Sequence, residues 1–195
     1  MDDRPIDVSV LRIGIAEARA RGQGALRAIA ERGDSSGPEE LVRMLREAIE
    51  VVRAAESDGR LAGAQNHPPM LPVEAEAKSA LAAHTARSRF EHEPIRNHGG
   101  TTTTEEPPAH LVDRPSDDGV VVITLVVAAR VELTDVADVR DRAELDRALS
   151  ALGALEPRDF VAMEVIGSPA DEREAVSADR LARKYPELVR LGAAA

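Results

Sequence analysis

The sequence has 195 residues, 25 Lys plus Arg against 35 Asp plus Glu for a net charge of −10, no Cys, no Trp, and only Phe90, Phe160 and Tyr185 as aromatics. A chain of this length buries about 70% of the surface its unfolded form exposes, here with a core of Leu, Ile, Val and Ala. The missing Cys excludes disulfides and thiolate metal or redox sites and fits a reducing compartment. With no positive segment and almost no aromatics, both the phosphate-tracking surface and the base-stacking platform of a nucleic-acid binder are missing.

Met1-Asp2-Asp3-Arg4-Pro5 has neither the basic start nor the apolar run of a secretory signal. The longest apolar run, Val120–Ala129, broken by one Thr, has about half the length that spanning a bilayer needs. A soluble, cytoplasmic chain without a membrane span is expected.

In chain order, Val8, Leu11, Ile15, Ala18, Gly22, Ala25 and Ile29 recur at alternating spacings of three and four, which predicts a helix over 7–32 stopped at Gly33. Ser36-Gly37-Pro38-Glu39 then supplies an N-cap hydroxyl, a Pro for the first turn and a Glu that reaches back. The stripe Leu41, Met44, Leu45, Ala48, Ile49, Val52 and Ala55 predicts a second helix ending near Gly59, antiparallel to the first.

Residues 60–72, with Pro68, Pro69 and Pro72, read as a connector, and Val73, Ala77, Ala80, Leu81, His84 and Phe90 mark a third, looser helix. Asn97–Asp118 is polar and Thr/Pro-rich and reads as a linker.

Val120–Val127, dense in β-branched residues, predicts a strand covered on both faces. Asp141 and Glu144 cap a helix whose stripe is Leu145, Ala148, Leu149 and Leu152, with Gly153 as its stop. Phe160–Ile166 is a second strand, and Ser177 caps a last helix with Leu181 and Tyr185 inward, ended by Pro186.

The helix between the two strands favours a parallel right-handed crossover. A two-stranded parallel sheet needs completion, by His110–Val112, by a second chain or by helices alone. The expected fold class is therefore α+β: an N-terminal helical hairpin plus a third helix, then a β-α-β-α unit with a small parallel sheet. The expected organisation is a single domain over 6–191, made of a helical half 7–98, a flexible Thr/Pro-rich linker 97–118 and a β-α-β-α half 119–190.

Five stretches, Val8–Ile15, Gly33–Leu41, Val121–Ala129, Val161–Val165 and Tyr185–Leu188, stand in the order found in a known family. The chain resembles the domain-of-unknown-function family fifteen-seventeen of cyanobacteria, plastids and some other bacteria, from about Ile6 to Leu191 apart from 60–118. The resemblance implies no established enzymatic activity, no catalytic residues and no cofactor. Many members of that family carry a Gly-rich segment and a membrane anchor ahead of the domain; this sequence shows neither, so their membrane association is not expected here.

Among local motifs, no Walker loop, dinucleotide fingerprint, His-Glu-x-x-His, nucleophile elbow or EF-hand loop occurs. Gly22-Gln23-Gly24 follows no strand and reads as helix packing rather than a phosphate cradle. The five histidines are His67, His84, His92, His98 and His110, and His84 and His92 lie two helical turns apart, too far to share a metal on a straight helix.

Glu164 interrupts an apolar strand, where a buried carboxyl would titrate high enough for acid–base work and an exposed or Arg-paired one would not. Asp135, Asp138 and Asp141 follow the first strand, and Asp171, Glu172 and Glu174 the second. Parallel strands would bring these two loops together as oxygen ligands for a divalent cation.

No catalytic, cofactor-binding or metal residue is assigned and no cofactor is expected. The reading is a soluble, non-enzymatic interaction module that self-associates, as a homodimer, or binds a protein partner. Its alternative is a divalent-cation-dependent ligand-binding or hydrolytic domain using the acidic loops.

Overall fold

Five strands, all antiparallel to their neighbours, form the centre of the molecule. The computed structural model describes residues 4–16, 28–29, 37–54, 61–89, 95–98, 101–104, 120–168 and 178–191. The elements in chain order are β1 (Ile6–Ala16), α1 (Pro38–Ala54), β2 (Leu61–Met70), α2 (Pro72–Ser88), β3 (Ile95–His98), β4 (Thr101–Thr104) and β5 (Val120–Ala129). A 3-10 turn (Thr134–Val136), α3 (Arg142–Gly153), β6 (Phe160–Ser168), α4 (Ala178–Lys184) and β7 (Val189–Arg190) follow. The main sheet has the order β6-β5-β1-β2-β7, and β3 and β4 form a separate antiparallel pair.

The predicted helical start is overturned: residues 6–16 are the middle strand. The helical stripe used Val8, Leu11 and Ile15 but left out Val10 and Ile13, and all five are buried. Apolar residues of both parities, most of them β-branched, mark a strand covered on both faces. Ile6, Val8 and Val10 point to one side, where Ala75, Ala83 and Ala86 of α2 pack. Leu11, Ile13 and Ile15 point to the other, against Leu45, Ile49 and Val52 of α1 and Leu145 and Leu149 of α3. The molecule is thus three layers, with α1 and α3 on one face of the sheet and α2 and α4 on the other. Each fully buried Leu, Ile or Val contributes about 1.5–3 kcal/mol of hydrophobic stabilisation. Of the remainder of the expected first helix, Ala28 and Ile29 have helical backbone, and 17–27 and 30–36 lie outside the described residues, as do Gly22-Gln23-Gly24 and the Ser36 cap.

The connector assigned to 60–72 is mostly strand β2. Its two prolines fall where the register slips, Val8 facing His67 and Ile6 facing Met70, so that β2 carries an extra residue. Proline is tolerated there because β7 pairs only with Leu61 and Ala62, and the missing N–H groups leave no ladder partner short.

The parallel crossover is also overturned. Residues 130–159 leave β5 and return to the same end of the sheet, with the Arg130 N–H donating to the Asp159 carbonyl at 2.7 Å. β6 therefore runs antiparallel to β5, with Phe160 beside Ala129 and Ser168 beside Val122. The length of the connection permits a crossover but does not compel one. Within this excursion the local expectations hold. The Asp141 carboxylate accepts the Glu144 N–H at 2.8 Å, Glu144 accepts the Arg140 N–H at 2.7 Å, and Leu145, Ala148, Leu149 and Leu152 are buried. Leu181 and Tyr185 point inward, as their spacing predicts.

Candidate functional site

Two features of the α2/α4 face stand apart from ordinary packing. The first is a buried polar cluster. Arg12, in the middle of β1, lies opposite Thr124 of β5 and Gly63 of β2. It is 5% exposed, although guanidinium groups are rarely buried unless paired. Tyr185, just after α4, and Arg89, just after α2, close over it: the Arg89 guanidinium stacks on the Tyr185 ring at 4.3 Å. Both arginines reach one carboxylate oxygen, Oε1 of Glu187, Arg12 through Nε at 3.3 Å.

The backbone of Glu187 comes so close to Gly63 that a Cβ there would stand 2.6 Å from its carbonyl oxygen, so only glycine fits. The Ser168 hydroxyl donates to the Ala86 carbonyl at 3.1 Å. The Thr124 hydroxyl, sealed from solvent, has no hydrogen-bond partner. Burial pushes the Arg12 pKa down, an effect that Glu187 opposes and Arg89 reinforces. Burial likewise raises the Tyr185 phenol, against the pull of Ser168 and the two arginines.

The second feature is the outward side of α2. The spacing Val73, Ala77, Ala80, Leu81, His84 and Phe90 looks like a core stripe, yet the first five are exposed, Val73 by 70% and Leu81 by 59%, and Phe90 lies outside the described residues. The helix seats itself on the sheet with small residues instead, Ala75, Ala83 and Ala86. Leu71, before the first turn, is 59% exposed. Its N–H is held by the Glu74 carboxylate at 3.2 Å, which fixes the start of the helix.

The parallel pairing that would bring the two acidic loops together is not the one β5 and β6 make. Because β5 and β6 are antiparallel, Asp135, Asp138 and Asp141 lie at one end of the sheet and the chain beyond Ser168 leaves at the other. The ends are roughly 25 Å apart at about 3.3 Å per residue. The parallel sheet on which the acidic-loop alternative relied is overturned by this topology. Asp138 pairs with Arg140 and Asp141 is a helix cap, while Asp171, Glu172 and Glu174 lie outside the described residues. No group of three metal-binding side chains occurs among the described residues.

Glu164 pairs with Arg87 on the surface of β6. His84 is exposed on α2; His98 belongs to β3; His92 and His110 are outside the described residues. No helix among the described residues is long and apolar enough to cross a membrane.

His67 of β2 is half-buried, and its pKa is lowered by burial first and then by Lys78 and Arg12, with Asp7 opposing. The fold therefore favours the neutral imidazole, and the stability this contributes is present above the unfolded pKa of about 6.5 and lost as pH falls through and below it. Urea midpoints measured between about pH 7.5 and 5 should fall less steeply in His67→Gln than in the wild type.

The sequence profile of a family described as a protein of unknown function (DUF1517) matches residues 5–191. The chain belongs to this family. A relative from Synechocystis sp. (strain ATCC 27184 / PCC 6803 / Kazusa), named Protein FLAP1 homolog A, is 27% identical over 122 residues, which take in 58% of this chain and 36% of the relative. The chain thus spans about a third of the length of the curated relative it matches. No solved structure matches. Of the stretches that carry the family resemblance, Val8–Ile15 contains Arg12 and Tyr185–Leu188 contains Glu187, so the polar cluster joins two of them.

Proposed function

We propose that this DUF1517 domain is a non-catalytic association module that pairs with a second copy of itself through the outward face of α2. The observation that carries the reading is the exposed stripe Val73, Ala77, Ala80 and Leu81, which holds two of the five large exposed hydrophobic side chains among the described residues. Exposed apolar surface rimmed by polar residues marks interaction sites when it is contiguous. Two-fold symmetry demands a self-complementary surface, and an antiparallel pair of these helices supplies one. In such a pair the two helix dipoles would oppose, and Ala77 and Ala80 at the crossing leave room for close approach.

The outer edge of β6 is a poorer surface. It has no partner strand among the described residues, but a bulge at its start and the Glu164–Arg87 pair protect it.

A single helix crossing lies near the lower end of specific interfaces, about 1,200 Å² in total, so a reversible dimer is expected. Light-scattering mass over about a hundredfold dilution should fall from dimer toward monomer. Leu81→Glu should be monomeric throughout, with the melting temperature of the wild type at dilutions where that too is monomeric, and Ala162→Lys, at an exposed position of β6, should behave as wild type. A wild type that is monomeric at every concentration, or a dimer abolished by Ala162→Lys and not by Leu81→Glu, sinks the proposal.

A further inference from the structure

The geometry points to a binding site for a phosphate-class oxyanion at the Arg12 guanidinium, roofed by Arg89 and Tyr185, with the Glu187 carboxylate standing in for the ligand. The cluster is one negative charge short. Arg12 and Arg89 share a single carboxylate oxygen, and Glu187 is the one acid that acts on Arg12 among the described residues.

A guanidinium offers five donors in a planar fork suited to an oxyanion. The contact that Arg12 makes at Nε is an ion pair at 3.3 Å without hydrogen-bond geometry, although the side chain is only 6% exposed. Directly across the β1/β5 pairing, the Thr124 hydroxyl is fully buried and also unpartnered. These two polar groups, on residues paired across the strands, both have a donor to offer an oxyanion, and each left unmet weighs against folding. Two guanidinium groups and a hydroxyl match the several oxygens of a phosphate.

The way in is past Glu187, whose side chain is 31% exposed, against 19% for Arg89. Glu187 sits on the turn closed by the Leu188 N–H and the Tyr185 carbonyl at 3.1 Å, and its backbone is seated against Gly63. The carboxylate can therefore swing out while the main chain stays in place.

The test uses the full chain and inorganic phosphate, followed by titration calorimetry and by melting temperature, with chloride at matched ionic strength as control. Phosphate should bind saturably and raise the melting temperature, and chloride should not. Glu187→Gln, which removes the internal competitor, should tighten phosphate binding about fivefold or more, and Thr124→Val should weaken it severalfold with the fold intact. Arg12→Met should lose at least about tenfold. Absence of saturable binding in both wild type and Glu187→Gln, an equal rise in chloride, or affinities unchanged by Glu187→Gln and Thr124→Val would each overturn the assignment.

Discussion

Ile13→Ala should cost about 2–5 kcal/mol of unfolding free energy, as much as Leu11→Ala, when both are measured by chemical denaturation. Ile13 is fully buried in β1, with Ala62 of β2 on one side and Ile123 of β5 on the other, and it packs into the layer closed by α1 and α3. Truncation leaves a cavity in the middle of the sheet, where neither flanking strand can collapse to fill it. The same substitution separates the two readings of this segment. On a helix whose buried stripe is Val8, Leu11 and Ile15, Ile13 points away from the core, and its loss would change stability by no more than about 0.5 kcal/mol. Equal costs for Leu11 and Ile13, two residues apart, are the signature of a strand.

That segment shows where the sequence was legible and where it was not. Signals confined to one element were readable. Asp141 with Glu144 marked a helix start, Pro38 another, and the β-branched run at 120–129 a doubly covered strand, because caps and backbone propensities act within a few residues. Strand pairing was not readable, because it depends on where a connection returns, and residues 130–159 carry no mark of returning to the end they left.

The side of α2 that faces the sheet was hidden for a different reason. Its apolar residues run all round the helix, so spacing picked the larger ones, Val73 and Leu81, while close packing on the sheet selected the alanines. Of the polar cluster, one signal lay in plain view: Arg12 is a lone charge in the apolar run Val8–Ile15. Its partners Arg89 and Glu187 lie 77 and 175 residues away in sequence, and nothing local links them to it.

Replacing Arg12 and replacing Glu187 should have unequal effects, although they are partners. In Glu187→Gln the Arg12 cation stays buried beside the Arg89 cation with no counter-charge. Removing one member of a fully buried pair costs about 3–5 kcal/mol, and because Glu187 is 31% exposed the loss here should be about 1–3 kcal/mol. Arg12→Met removes the buried charge itself, keeps most of the side-chain volume, and leaves Glu187 paired with Arg89. It should lie within about 1 kcal/mol of wild type, since an apolar replacement recovers the desolvation cost of the ion. The double variant should be less destabilised than Glu187→Gln alone, because without Arg12 the missing carboxylate has one cation fewer to neutralise.

Urea denaturation at neutral pH of the two single variants and the double variant measures all three. Arg12→Met proving costlier than Glu187→Gln would mean that the guanidinium is a net stabilising element of the sheet. The expected order has the opposite implication. A central strand that keeps an arginine where methionine would hold the fold as well keeps it for its charge, and the charge faces the one carboxylate that a ligand can displace.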